Sequence, residues 1–164
     1  MQDYQSEATK KVAELIKDAR ICMLTTMTPE GKHVARPMGL QDVEFDGDLW
    51  FFSYLSSNKV GQIEYEPQVN VAFSDQKHNA WTSITGLAEI VSDKSKMEEL
   101  WTPLLKAWFP EGLETPGICL IKVHADSAEY WDSPNSTAVN LFGMVKAAIT
   151  GKQPDAGENK TIDL

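Results

Sequence analysis

Hydrophobic positions in this chain follow two periods. Over 6–19, Ala8, Val12, Leu15, Ile16 and Ala19 recur at helical spacing, with Ser6 placed as N-cap and Glu7 in the first turn. The pattern then becomes strand-like over 21–27 and 33–40, with a turn at Thr28-Pro29-Glu30-Gly31 between them. Pro37 cannot donate to a ladder, so the second strand is expected on an edge or at a bulge. Further strands are predicted from Leu49, over 68–74, over 80–92 and over 118–131, with Gly86 marking a bend or a close backbone approach. Asp93 reads as the N-cap of a helix carrying Met97, Leu100 and Trp101 and, beyond Pro103, Leu104, Leu105 and Trp108. Its tryptophans read as core anchors. A last helix is predicted over 137–150, with Gly151 at C′ and a mobile polar tail over 151–164. Six strand patterns, short turns and flanking helices predict a mainly β fold: a closed, antiparallel architecture in one domain spanning 1–150.

The stretch 49–73 organises the rest. The apolar run Leu49, Trp50, Phe51, Phe52 gives way to the hydroxyls Ser53, Ser56 and Ser57, then to a short helix opening at Asn58-Lys59 and closing at Glu66-Pro67. A helix N-terminus offers unpaired N–H groups and the positive end of a dipole, which suits an anion such as phosphate. Hydroxyls and a lysine in the first turn would complete such a cradle. The same residues also read as a helix capped by Ser57 with Lys59 as a solvated charge, and taken alone they favour that plainer reading.

Composition narrows the classes. A net charge of −9, from 24 acidic and 15 basic residues, argues against nucleic acid and against an anionic membrane surface as partners. No apolar run approaches the ~18 residues of a membrane span, and the first residues lack the apolar segment of a signal peptide. Cys22 and Cys119 lie in apolar strand patterns without metal or redox spacing, so both are expected as buried thiols in a reducing cytoplasm. His33, His78 and His124 are scattered without the spacing of a metal site. Arg20 and Arg36 are the only arginines.

The run FFSYLSSNKVGQIEYEP at 51–67, with ARPM at 35–38, SITG at 83–86 and AEYWD at 128–132, resembles the pyridoxamine 5′-phosphate oxidase-like superfamily of FMN-binding split β-barrels. Within it the chain most resembles the bacterial general stress proteins. The resemblance implies a six-stranded antiparallel split barrel that binds FMN, with FAD as the alternative, at the interface of a homodimer. It carries flavin contacts onto Arg36, Pro37, Met38, Gly39, Phe52, Ser53, Ser57 and Lys59. Two positions depart from the oxidase pattern. Asn58 stands where those enzymes have a second basic residue, and Trp81 stands where they have a flavin-contacting glutamine. Trp81 reads equally as a ring contact or as core filling. The implied activity is that of a flavin-dependent oxidoreductase whose chemistry resides in the cofactor, or else of a flavin storage or stress-sensing module. A haem-binding split barrel, needing an axial ligand among the three histidines, is a further alternative. The oxidases' C-terminal Arg-x-His element is missing: no arginine follows Arg36 and no histidine follows His124, so pyridoxamine 5′-phosphate oxidase activity itself is not expected.

Overall fold

The computed structural model describes residues 6–132, 146, 148–151 and 158–164. Helix α1 (Glu7–Ile16) starts where Ser6 Oγ accepts the Thr9 N–H at 3.0 Å, and it buries Val12 and Ile16. The strands are β1 (Ile21–Met27), β2 (His33–Gly39), β3 (Asp48–Tyr54), β4 (Gln68–Asp75), β5 (Ala80–Val91), β6 (Ile118–Asp132) and β7 (Glu158–Asp163). Helix α2 (Asn58–Tyr65) connects β3 to β4, and α3 (Lys94–Leu100) follows β5. Six strands run in the order β2-β1-β4-β5-β6-β3 in one antiparallel sheet, curled into a split barrel with flanking helices, and β7 joins the sheet as a seventh strand beside β6. Pro37 lies on β2, which ends the strand order and pairs with β1.

Alternation explains which residues face the interior. In β1, Cys22, Leu24 and Thr26 are buried while Ile21 and Met23 are exposed, the period-two signature of a sheet covered on one face. Leu24, Phe51, Val71, Ile84, Ile121 and Val123 fill the interior, closed by Val12 and Ile16 of α1 and by Val60 and Ile63 of α2. A second apolar cluster lies on the other face of β3 and β6. There Phe52, Ile118 and Leu120 meet Met97 and Leu100 of α3 and Phe109. Phe52 and Trp101 pack edge to face with ring centroids 5.6 Å apart, a geometry the ring quadrupoles favour.

Gly86 is where the interior needs a close approach. The β5–β6 register shifts between Thr85 and Gly86, and a Cβ at Gly86 would lie 2.3 Å from the His124 carbonyl oxygen. The long β6 pairs with β5 along its length, with β3 over its first half and with β7 over its second half.

Three expectations are corrected. The helix capped by Asp93 stops at Leu100, because Pro103 disfavours helical backbone at Thr102 (φ −126°, ψ 150°), and the chain resumes as a 3₁₀ turn over Pro103–Ala107. Trp108 is 72% exposed rather than core; its carbonyl is engaged by the Tyr54 hydroxyl at 2.6 Å, leaving the ring outside. Part of the segment read as a mobile tail is a strand: β7 pairs with β6 from Ser127↔Asp163 to Asp132↔Glu158, and Lys11 of α1 meets both Asp132 (3.1 Å) and Glu158 (4.0 Å). The helix expected over 137–150 lies mostly outside the described residues; Lys146 and residues 148–150 are helical, and Gly151 has φ 65°.

Candidate functional site

Arg36 pairs with Leu24 across β2 and β1, and its side chain turns to the half-buried, inward side of the edge strand. One guanidinium nitrogen, Nη1, donates to the Leu24 carbonyl at 3.2 Å and to Thr26 Oγ1 at 2.8 Å; the other, Nη2, donates to Gln62 Oε1 at 3.1 Å. Gln62 belongs to α2, one turn after Lys59, so burial of Val60 and Ile63 places Lys59 and Gln62 on the side of the helix that meets Arg36.

The N-terminus of α2 adjoins this pair. Ser57 occupies the N-cap position, but its hydroxyl makes no capping bond; it shares a 3.1 Å hydrogen bond with Ser53 Oγ instead. The expected cap is therefore absent, and the first N–H groups of the helix have no side-chain acceptor among the described residues. Ser53 is 2% exposed and pairs in register with Cys119.

Electrostatics set this corner apart. Partial burial lowers the Lys59 pKa, and the Arg36 charge lowers it further. Burial also lowers Arg36 and raises the Cys119 thiol, which Lys59 partly offsets. Among the described residues neither Arg36 nor Lys59 has a carboxylate within ion-pair distance, whereas Lys11, Lys94, Lys96, Lys122 and Lys160 each do. Two neighbouring cations, partly desolvated and lacking a counter-charge, raise the energy of the ligand-free fold. An anion with several acceptor oxygens, such as a phosphate monoester, fits this donor set of guanidinium, ammonium, hydroxyls and helix N–H groups.

The remaining sequence candidates fall elsewhere. Met38 packs against the interior cluster, while Pro37 and Gly39 are exposed along β2 and Asn58 is exposed at the start of α2. The Phe52 side chain lies in the second apolar cluster, on the face of β3 opposite Ser53, so only its backbone is available to the cradle. Trp81 is 43% exposed on the outer face of β5, opposite Ser74 and Trp131, which removes the core-filling alternative. Ile21, Met23, Trp81 and Trp131 leave that outer face apolar and exposed. Thr26 and Gln62 join the site without being among the residues expected from the sequence. The available signal was the three-residue spacing from Lys59 to Gln62 on a helix whose apolar positions were already assigned.

Histidines do not enter the cradle: His78 pairs with Asp75 at 2.6 Å, His124 pairs with Asp48 at 2.8 Å, and His33 is exposed. A separate cavity of about 520 Å³ lies between α1 and the segment 40–50, lined by residues including Lys17, Arg20, Asp42 and Phe45; none of the cradle residues lines it.

Known proteins resemble this chain in sequence and in fold. Protein bli-3 of Neurospora crassa is 29% identical, over 87% of this chain and 73% of that protein. Among solved structures, a protein assigned as general stress protein 26 from Jannaschia sp. CCS1 superposes with a TM-score of 0.74 at 25% identity, covering 98% of this chain and 99% of that one. The general stress FMN/FAD binding protein of Xanthomonas citri gives a TM-score of 0.67 at 30% identity, covering 80% of this chain and 91% of that one. The sequence profile of the pyridoxamine 5′-phosphate oxidase like family matches residues 7–155, and with fold and sequence agreeing over that span the chain belongs to this family.

Proposed function

We propose that this protein is an FMN-binding protein of the general stress type, with FAD as the alternative ligand. The observation that carries the reading is the Arg36–Lys59 pair, two half-buried cations without a carboxylate partner among the described residues, Arg36 being held by neutral groups alone, in a chain of net charge −9. Arg36, Lys59 and the Ser53 and Ser57 hydroxyls would hold the phosphate; Met38, Gly39 and the backbone at Phe52 would adjoin the remainder, with Asn58 at the rim. A bound flavin supplies redox chemistry, and the chain supplies its position and electrostatic surroundings. The FMN/FAD binding named for the Xanthomonas citri relative supports the choice of ligand. The decisive experiment is the absorbance spectrum of the purified protein with mass identification of released cofactor, followed by calorimetric titration of FMN. Unchanged affinity in both Lys59→Ala and Arg36→Ala would remove the site.

The same proposal includes a homodimer with the flavin at its interface; Ile21, Met23, Trp81 and Trp131 leave the outer sheet face apolar and exposed, available to a second copy. In that arrangement Trp81 meets the partner copy or its flavin. Light scattering on a sample that holds FMN tightly as a monomer would exclude it. A cytoplasmic setting is supported by two buried free thiols, Cys22 and Cys119; among the described residues, no helix is long and apolar enough to cross a membrane.

Turnover with a reduced nicotinamide donor would make the protein an oxidoreductase; binding without turnover would make it a storage or sensing module. Oxidation of pyridoxamine 5′-phosphate is not expected. That substrate needs a second phosphate clamp, and the only other arginine, Arg20, lies at the surface beside Asp42. An oxygen-coupled assay showing pyridoxal 5′-phosphate formation at about 10⁴ M⁻¹s⁻¹ or more would overturn this reading.

A further inference from the structure

Every acceptor holding Arg36 is uncharged: the Leu24 carbonyl, the Thr26 hydroxyl and the Gln62 side-chain oxygen. Arginine only donates, so the Gln62 atom 3.1 Å from Nη2 must be its carbonyl oxygen rather than its amide nitrogen. The Thr26 hydroxyl accepts from Arg36 Nη1 at 2.8 Å and donates its own proton to that same Gln62 oxygen at 2.6 Å. The three side chains thus close a ring of hydrogen bonds in which each direction is fixed. This ring uses the Gln62 oxygen and leaves its NH₂ group with no protein acceptor among the described residues, as a further donor.

The chemical identity of residue 62 matters because of charge. A glutamate there would hold the guanidinium as firmly but would neutralise it, and the same helix carries Glu64 at an exposed position. Glutamine fixes the fork and keeps the full positive charge available to a ligand.

We propose that Gln62 is the positioning residue of this site: with Thr26 it orients Arg36 while preserving its charge, and so sets the preference for phosphorylated over unphosphorylated flavin. The inference rests on the flavin reading given above. Gln62 is half-buried on a short helix, so its replacement is expected to leave the fold intact.

The test compares FMN and riboflavin affinities of the full chain as wild type, Gln62→Met and Gln62→Glu. Riboflavin carries the same ring without the phosphate. Wild type is expected to favour FMN. Gln62→Met should lose about tenfold in FMN affinity, and Gln62→Glu about a hundredfold, with riboflavin unchanged in both. If either variant keeps the wild-type FMN-to-riboflavin ratio, the proposal is overturned, and this includes an equal fall for both ligands, the mark of a merely structural residue. A wild type that binds the two ligands equally would instead defeat the flavin-phosphate reading on which the proposal rests.

Discussion

Lys59 and Lys122 are both lysines partly withdrawn from water, and the fold treats them oppositely. Lys122 on β6 lies 3.4 Å from Asp48 and 3.5 Å from Glu89, and 5.7 Å from the Trp50 ring centre, over which Lys96 also sits at 5.0 Å. Burial pulls its pKa down, but the Asp48 and Glu89 carboxylates together outweigh burial and raise it. Lys59 is more deeply buried, has no carboxylate partner among the described residues and lies beside Arg36, so its pKa falls. A charge whose counter-ion is built into the chain stabilises the fold. A charge denied one within the chain costs stability until a ligand arrives, and that cost becomes affinity when the ligand binds.

The contrast can be broken by removing the cations in turn. The double variant Arg36→Ala/Lys59→Ala should weaken FMN binding by about 10²–10⁴-fold and each single variant by about ten- to a hundredfold, from ~1.5–3 kcal/mol per charge-assisted phosphate bond. Lys122→Ala should leave affinity unchanged in the same titration.

A pH series sharpens the contrast next. The unfolded chain holds the Lys59 proton up to its ordinary value of 10.5, and the ligand-free fold releases it lower. In that window the unfolded state binds more protons, so the Lys59 contribution to stability rises with pH. A bound phosphate reverses this preference. FMN affinity is therefore greatest below the folded-state pKa and should fall toward the Lys59→Ala level as pH rises through it, with riboflavin as the control. For Lys122 the signs invert: its stabilisation is present below the ordinary value and lost as pH climbs through the raised one.

Thermal melts of the ligand-free protein should show smaller effects of opposite sign. Lys59→Met removes an uncompensated charge and should raise Tm by about 1–3 °C, while Lys122→Met should lower it by a similar amount, each reflecting roughly 0.5–1 kcal/mol. Least affected should be Lys94→Ala at the exposed Glu114 pair, expected within about 0.5 kcal/mol of wild type by denaturant titration.

Local chemistry made much of the fold legible. The Ser6 cap, the period-two burial of β1 and the tight approach at Gly86 all depend on residues close in sequence or on a missing Cβ. The legible part of the site was its charge inventory: with two arginines in the chain, Arg36 and the hydroxyl-rich turn before Lys59 stand out. What was not legible depends on partners far along the chain. Whether Ser57 caps α2 or bonds Ser53, and whether Gln62 is solvated or grips Arg36, is decided by how β2 and α2 meet across the sheet. Phe52 shows the same limit: its place in the run was clear, but the face it takes depends on α3 covering the outer side of β3. Trp108 followed the leucine spacing of a continuous helix, which Pro103 interrupts. The strand β7 carries few apolar residues, since its backbone pairing to β6 and its ion pairs define it rather than burial.

That last strand has a consequence for the protein's behaviour at high concentration. Beyond His124, where pairing with β3 stops, the far half of β6 would present a row of unpaired N–H and C=O groups if β7 did not occupy it from Ser127 to Asp132. Such a row is a template on which a strand from another molecule can add, and Tyr130 and Trp131 would supply the side chains that promote stacking. By pairing there with Glu158, Lys160 and Asp163, the chain covers the row with its own charged segment and leaves no free edge for an added strand over that span.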